Sequence, residues 1–231
     1  MPKPLALVCI GCGARAQTYA ELAARRPDRF TIAAGADPVA ARVEKIRRIS
    51  ANPRFRAFAN AAELLAAGVL GDVALVATQD NHHDEHCRGA LARGYHVLLE
   101  KPIATRVDQV LAIRELAARL DRRVMVCFVL RFAAFYRKVK EIIASGALGE
   151  IASIQAGEGV MPWHQAHSFV RGHWSSAKAA SPMILSKCCH DTDILHWLAD
   201  RRCLRVASFG SREFFRAERA PAGAPARCTD P

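Results

Sequence analysis

One stretch constrains this chain more than any other. Gly11-Cys12-Gly13-Ala14-Arg15-Ala16 lies between the apolar run LALVCI (5–10) and a helical stretch. A continuous apolar run ended by glycine reads as a strand buried on both faces. The pattern G-x-G-x-x-A then fits a strand-to-helix turn in which each small residue has its own reason. The first glycine permits the tight turn, the second lets another group approach the backbone, and the small third position lets helix pack on strand. Glycines also end strands for purely conformational reasons, so the turn gains its meaning from the residues around it.

The rest of the first half alternates regularly. FTIAAGAD (30–37) reads as a second buried strand, and PVAARVEKIRRIS as a helix with proline at its first position. Asn60 is placed to cap the short helix AAELLAA, which Gly68 terminates, and DVALVA (72–77) is a third clear strand. HHDEHCRGALAR is a helix stopping at Gly94, YHVLLE a strand, VDQVLAIRELAARL an amphipathic helix and VMVCFVL (124–130) a strand. Strands alternating with helices imply an α/β fold with a parallel, doubly wound sheet.

Asp37 closes the second strand about 20 residues past the turn, where a carboxylate accepts hydrogen bonds from an adenosine ribose. Backbone N–H groups at the start of the helix would face phosphates. Gly11, Cys12, Gly13, Ala14, Arg15 and Asp37 are therefore candidates for binding NAD, and residues 1–123 for a Rossmann domain. NAD is favoured over NADP because Asp37 repels a 2′-phosphate, which Arg42 would help to tolerate. The competing reading of Asp37 is a turn former before Pro38.

Composition excludes other classes. The 231 residues, 51% of them hydrophobic, suit one large globular domain or two modest ones. The longest apolar runs fall far short of the roughly 20 residues that span a bilayer, so no membrane span is expected, and no export signal is read. Cys9, Cys12, Cys87, Cys127, Cys188, Cys189, Cys203 and Cys228 are scattered and mostly embedded in apolar segments, which points to a reduced, cytoplasmic setting. The formal charge of +11 raises the question of nucleic acid. Basic residues occur singly or in pairs without interleaved aromatics, so a solvated surface is expected and no nucleic-acid groove.

The pattern loosens after residue 124. A helix AFYRKVKEIIAS ends at Gly146, and EIASIQAGEGV (150–160) alternates like a strand. The loop from Met161 to Pro182 is long and carries Trp163, His164, His167, Arg171, His173 and Trp174, a composition more often functional than idle. Beyond it lie a helix SKCCHDTDILHWLAD (186–200) and a strand CLRVASFG (203–210).

With the glycine turn, Asp37, ATQDNHH after the third strand and EKP after the next, the chain resembles the Gfo/Idh/MocA family of nicotinamide-dependent sugar and cyclitol oxidoreductases. The family pattern after the third strand is T-P-N-x-x-H. Thr78, Gln79, Asp80 and His83 stand here, so the proline and asparagine are replaced, and the resemblance implies that Thr78 and His83 lie near the cofactor. Glu100-Lys101-Pro102 corresponds to the family's E-K-P motif, in which lysine reaches the nicotinamide and the reacting carbon, its neighbours set position, and a cis peptide precedes the proline. An ammonium there stabilises negative charge on the reacting oxygen.

His190 corresponds to a family histidine that acts as general acid or base. Its usual partner four positions earlier is an Asp, and Ser186 stands there instead. Lys187 could supply a second cation and Asp191 could orient His190, while Asp193 is read as structural. Arg131, Phe132 and Tyr136 come after the sixth strand as substrate-cleft residues do in the family. Trp163 and Trp174 read as sugar-stacking platforms or as core residues, with His164 beside them. His82 and His86 have the i,i+4 spacing of a metal pair but no clear third ligand, so no metal site is expected. Cys188 and Cys189 are read as small buried hydrophobes.

The resemblance implies hydride transfer between NAD(H) and a hydroxyl carbon of a sugar, cyclitol or related polyol. An NAD-dependent glycosidase working by transient oxidation and elimination, and a non-catalytic nucleotide- or sugar-binding protein, are the alternatives. Residues 124–231 would form a partial α+β domain for substrate and oligomer contacts. Family members continue beyond this length to complete an open, mostly antiparallel sheet, so this chain is expected to be truncated there. The expected partners are a small sugar or polyol and further copies of the chain.

Overall fold

The computed structural model describes residues 3–176 and 180–225; Cys228 lies outside them. Among the described residues six strands form one sheet: β1 (Leu5–Ile10), β2 (Phe30–Ala36), β3 (Arg56–Phe58), β4 (Val73–Val76), β5 (His96–Leu99) and β6 (Val124–Val126). Their order is β3-β2-β1-β4-β5-β6, and every neighbouring pair is parallel. The chain winds outward in one direction from β1 and in the other from β4. The carboxyl ends of those two strands are the switch point at which open α/β sheets bind ligands.

Strand alternation divides the core into two layers. Val8 and Ile10 face one side, where α3 (Ala61–Ala66), α4 (His83–Ala92) and α5 (Val107–Arg119) contribute Leu64, Ala90, Leu91, Ile113 and Ala117. Cys9 faces the other, covered by Ala16, Ala20 and Ala23 of α1 (Ala14–Ala24) and by Val43 and Ile46 of α2 (Ala40–Ser50). The alanine face of α1 brings that helix close to the sheet, and its N-terminus therefore lies directly over the end of β1. Asn60 caps α3 by accepting from the Glu63 N–H at 2.9 Å, and Gly68 and Gly94 turn the chain with φ of +88° and +93°.

Several sequence expectations need correction. α2 begins at Ala40 with Val39 as its N-cap, so Pro38 precedes the helix; the Asp37 carboxylate captures the Val39 N–H and sets the start there. β3 carries no clear strand signal in the sequence. β6 pairs with β5, so the sheet extends past the expected boundary at residue 123. The helix expected over 186–200 is interrupted, and only Cys189–Ala199 forms a continuous helix there.

The second half contains α6 (Ala134–Ala144), α7 (Pro162–Gln165) with a π turn over Ala166–Val170, α8 (Met183–Ser186) and α9 (Cys189–Ala199). The expected strands over 150–160 and 203–210 do not form, and among the described residues there is no antiparallel sheet. Leu204 and Phe209 are 90% and 96% exposed. Alternation specifies a strand only where a neighbouring ladder receives its N–H and C=O groups, and these two segments have none. No helix among the described residues is long and apolar enough to cross a membrane.

Candidate active site

The carboxyl ends of β1, β4 and β5 open into a cleft of about 990 Å³. Gly11 lies on its floor with φ +84°, and a Cβ there would sit 2.6 Å from the Ala77 carbonyl oxygen, so only glycine fits. Gly13 is bare for a different reason. A Cβ on it would meet nothing within 4 Å, so the fold tolerates one, but it would occupy the cleft. Gly13 is the N-cap of α1, whose first-turn N–H groups have no acceptors within the helix and face this clear space.

Asp37, 6% exposed, closes one end of the cleft. Its Oδ2 accepts from the Cys12 N–H and its Oδ1 from the Val39 N–H, both at 2.9 Å, and an Arg42 Nη1 lies 3.7 Å from Oδ1. The carboxylate thus ties the glycine turn to the start of α2. Each oxygen keeps further accepting capacity for ribose hydroxyls, so turn former and nucleotide acceptor are compatible roles.

At the end of β5, Glu100 is 5% exposed. Its Oε1 accepts from Arg15 Nε at 3.1 Å and from the Tyr19 hydroxyl at 3.0 Å, and its Oε2 accepts from the Lys101 N–H at 3.0 Å. The strand end is thereby fixed to α1. The Lys101–Pro102 peptide is cis. Lys101 lines the cleft, and its Nζ donates to the Ser186 carbonyl oxygen at 2.7 Å, reaching α8.

His190, in the first turn of α9, packs edge-on against Phe128 with ring centroids 6.1 Å apart. Its buried Nδ1 has no hydrogen-bond partner. Burial lowers the His190 pKa from its ordinary value, and the positive charge of Lys101 lowers it further. The lowered pKa favours the neutral imidazole beside the Lys101 ammonium, and the ring lies outside the lining of the cleft.

Asp80, 4% exposed, draws the long loop over the cleft. Its Oδ2 accepts from Trp174 Nε1 at 2.9 Å and from the Ser181 hydroxyl, which places His173 and Trp174 on the cleft wall. The volume, the clear N-terminus at Gly13 and the carboxylate at Asp37 together fit a dinucleotide.

Residues 5–128 match the family model described as an oxidoreductase family, NAD-binding Rossmann fold, and residues 136–224 match the GFO/IDH/MocA C-terminal domain. The chain belongs to the GFO/IDH/MocA oxidoreductase family. An inositol 2-dehydrogenase of Corynebacterium glutamicum (strain R) is 27% identical over 207 residues, covering 89% of this chain and 57% of that protein. The fold is that of a myo-inositol 2-dehydrogenase from Lactobacillus plantarum, at TM-score 0.75 and 19% identity over 86% of this chain and 57% of the other. A scyllo-inositol dehydrogenase from Lactobacillus casei, solved with bound NAD(H) and scyllo-inositol, aligns at TM-score 0.72 and 20% identity over the same shares. This GFO/IDH/MocA chain spans little more than half the length of these relatives.

Of the residues singled out from the sequence of this family member, Gly11, Gly13, Ala14, Arg15, Asp37, Thr78, Glu100, Lys101 and Trp174 line the cleft. Cys12 does not; its side chain is fully buried in the α1 layer, and its backbone N–H serves Asp37. His83 and Pro102 sit behind the wall. His83 is 1% exposed, with Nδ1 2.6 Å from the Pro102 carbonyl oxygen and Nε2 3.1 Å from that of Thr78, so it joins the ends of β4 and β5.

The expected substrate residues are mostly elsewhere. Arg131 is committed to a fork with Asp193, at 2.8 and 2.6 Å, which pins the turn after β6 to α9 and gives Asp193 a structural part. Tyr136 packs edge-on against Phe135. Trp163 and His164 stack on each other outside the cleft, and His164 is linked to Trp174 through Phe169. Lys187 is paired with Glu158 at 2.7 Å, and the Asp191 pKa is raised by burial first and by the neighbouring Glu158 carboxyl second. Asp191 is thus engaged by Glu158.

Sequence reasoning missed Tyr19, Ser181, Glu158 and the anchoring role of Asp80. Tyr19 carries a local signal, being one helical turn beyond Arg15. Glu158 and Ser181 carry none, because their partners are distant in sequence.

Proposed function

We propose that this chain is part of an NAD-dependent oxidoreductase that transfers hydride between the nicotinamide and a hydroxyl carbon of a sugar, cyclitol or related polyol. The observation that carries this reading is the Lys101 ammonium, standing in the same cleft as the clear helix N-terminus at Gly13 with the neutral ring of His190 beside it. The inositol dehydrogenases among the relatives support the substrate class. Gly13, Ala14 and Arg15 would hold the pyrophosphate and Asp37 the adenosine ribose, favouring NAD over NADP. The bound nicotinamide supplies the hydride acceptor.

Lys101 spends one of its three donors on Ser186, which leaves two for the reacting hydroxyl oxygen. Its charge stabilises that oxygen as the carbon loses hydride. The hydroxyl proton passes to His190, whose lowered pKa keeps it ready to accept. Glu100 positions Lys101 through the backbone, and Trp174 offers an apolar face at the cleft wall.

We assign nucleotide binding to the part built on the parallel sheet, substrate contacts to the part after residue 124, and a cytoplasmic setting in keeping with the seven free cysteines among the described residues. Exposed Leu204, Val206, Phe209 and Phe214 suit burial against further copies of the chain.

A panel of inositols and other polyols with NAD+, followed by absorbance of NADH, tests the reading. Turnover of at least one cyclitol, abolished in Lys101→Met, is expected; turnover that persists in Lys101→Met removes the mechanism.

A further inference from the structure

Three side chains on the cleft wall take no part in this chemistry: His82, Glu85 and His86. His82 ends the short 3-10 turn Asp80–His82 that leads into α4, and Glu85 and His86 lie in the first turn of that helix. Spacings of three and four positions put all of them on one face. One potential ligand atom from each lies within 4.8 Å of the other two. The two imidazoles lie 5.6 Å apart between centroids, with 22° between their planes. The histidine pair looked incomplete in the sequence, and the helix supplies Glu85 as the third group.

His86 Nδ1 lies 3.1 Å from Thr78 Oγ1. When Nδ1–H donates to that hydroxyl, Nε2 keeps its lone pair, and histidines that bind metals are oriented by outer-shell oxygens in this way. The neighbouring His83 is excluded as a ligand, because both its nitrogens face carbonyl oxygens. A helix N-terminus weakly opposes a cation. Glu85 in the first turn offsets that, Asp84 being paired with Arg88 at 2.6 Å, and the opposition is small beside three coordination bonds.

We propose that His82, Glu85 and His86 form a site for a divalent transition-metal ion of the zinc class, with an open coordination position facing the cleft. Two imidazoles and one carboxylate select such ions over Mg2+ and Ca2+, which take oxygen ligands. Three protein ligands leave a position for water or for an anionic oxygen of whatever the cleft holds.

The test is titration of the full chain with Co2+, followed by visible absorption, and with Zn2+, followed by calorimetry. The cysteines are the competing ligands, and thiolate-to-cobalt charge-transfer absorption identifies them. About one ion per chain is expected, with cobalt d–d bands and no thiolate absorption. His82→Ala and His86→Ala should each weaken binding beyond the roughly 10–100-fold that loss of an outer-shell partner costs. Glu85→Gln, which preserves shape, should weaken it too and keeps the test available if a histidine variant fails to fold. Absence of binding, unchanged affinity in folded variants, or thiolate absorption overturns the site.

Discussion

The Lys101 ammonium donates to the Ser186 carbonyl oxygen across 2.7 Å, linking the end of β5 to α8 over 85 positions of sequence. Ser186 holds the lysine through its backbone oxygen. The positive charge of Lys101 lowers the His190 pKa, so the two groups are electrostatically linked. In Lys101→Met the His190 pKa should therefore rise, as followed by NMR of the imidazole. In the unaltered chain the His190 pKa lies below 6.5. Between that depressed value and 6.5 the unfolded chain binds the extra proton, so His190 makes stability fall as pH falls through this window. An unchanged titration in Lys101→Met would show that the two groups do not communicate.

Gly11 and Gly13 should separate folding from binding. Gly11→Ala combines a φ of +84° with a Cβ 2.6 Å from the Ala77 oxygen, and should lose roughly 1–3 kcal/mol from the dihedral alone. Gly13→Ala meets no atom and should lose less, roughly 0.5–1 kcal/mol, about the difference between these residues at an N-cap. Its NAD affinity should nevertheless fall about tenfold or more, equivalent to at least ~1.4 kcal/mol. Thermal unfolding and NAD calorimetry on both variants check this; equal effects on stability would contradict it.

The parallel sheet was legible because strands buried on both faces read as apolar runs and helix ends carry glycine. β3 escaped because Arg56-Ala57-Phe58 is short and half exposed, so only its pairing with β2 defines it. The segments at 150–160 and 203–210 look like strands by alternation but lack a partner ladder. The glycine turn, Asp37 and Lys101 were readable as a set. The carbonyl of Ser186 was not, since any residue supplies one, and neither was the Glu158 link between Lys187 and Asp191.

Asp37 carries two duties, and its substitution should show both. Asp37→Ala removes the acceptor of the Cys12 and Val39 N–H groups, costing about 1–3 kcal/mol for each one left unsatisfied. NAD binding should weaken while NADP, freed from carboxylate repulsion and facing Arg42, weakens less. The ratio of the two dissociation constants, measured by fluorescence titration, should shift toward NADP; a constant ratio would leave Asp37 as a turn former only.

Asp80 anchors the long loop through Trp174 and Ser181. Asp80→Ala should shift tryptophan emission to the red and speed protease cleavage between residues 161 and 182, with the sheet intact by circular dichroism. Unchanged cleavage would show that the loop is held by other contacts.

Isotope labelling reads direct hydride transfer most closely. Incubating the chain with NAD+ and a cyclitol deuterated at its hydroxyl-bearing carbons should give NADH carrying deuterium on the nicotinamide ring, seen by mass spectrometry and lost in Lys101→Met. Unlabelled NADH, or no reduction with any polyol that binds, would contradict it.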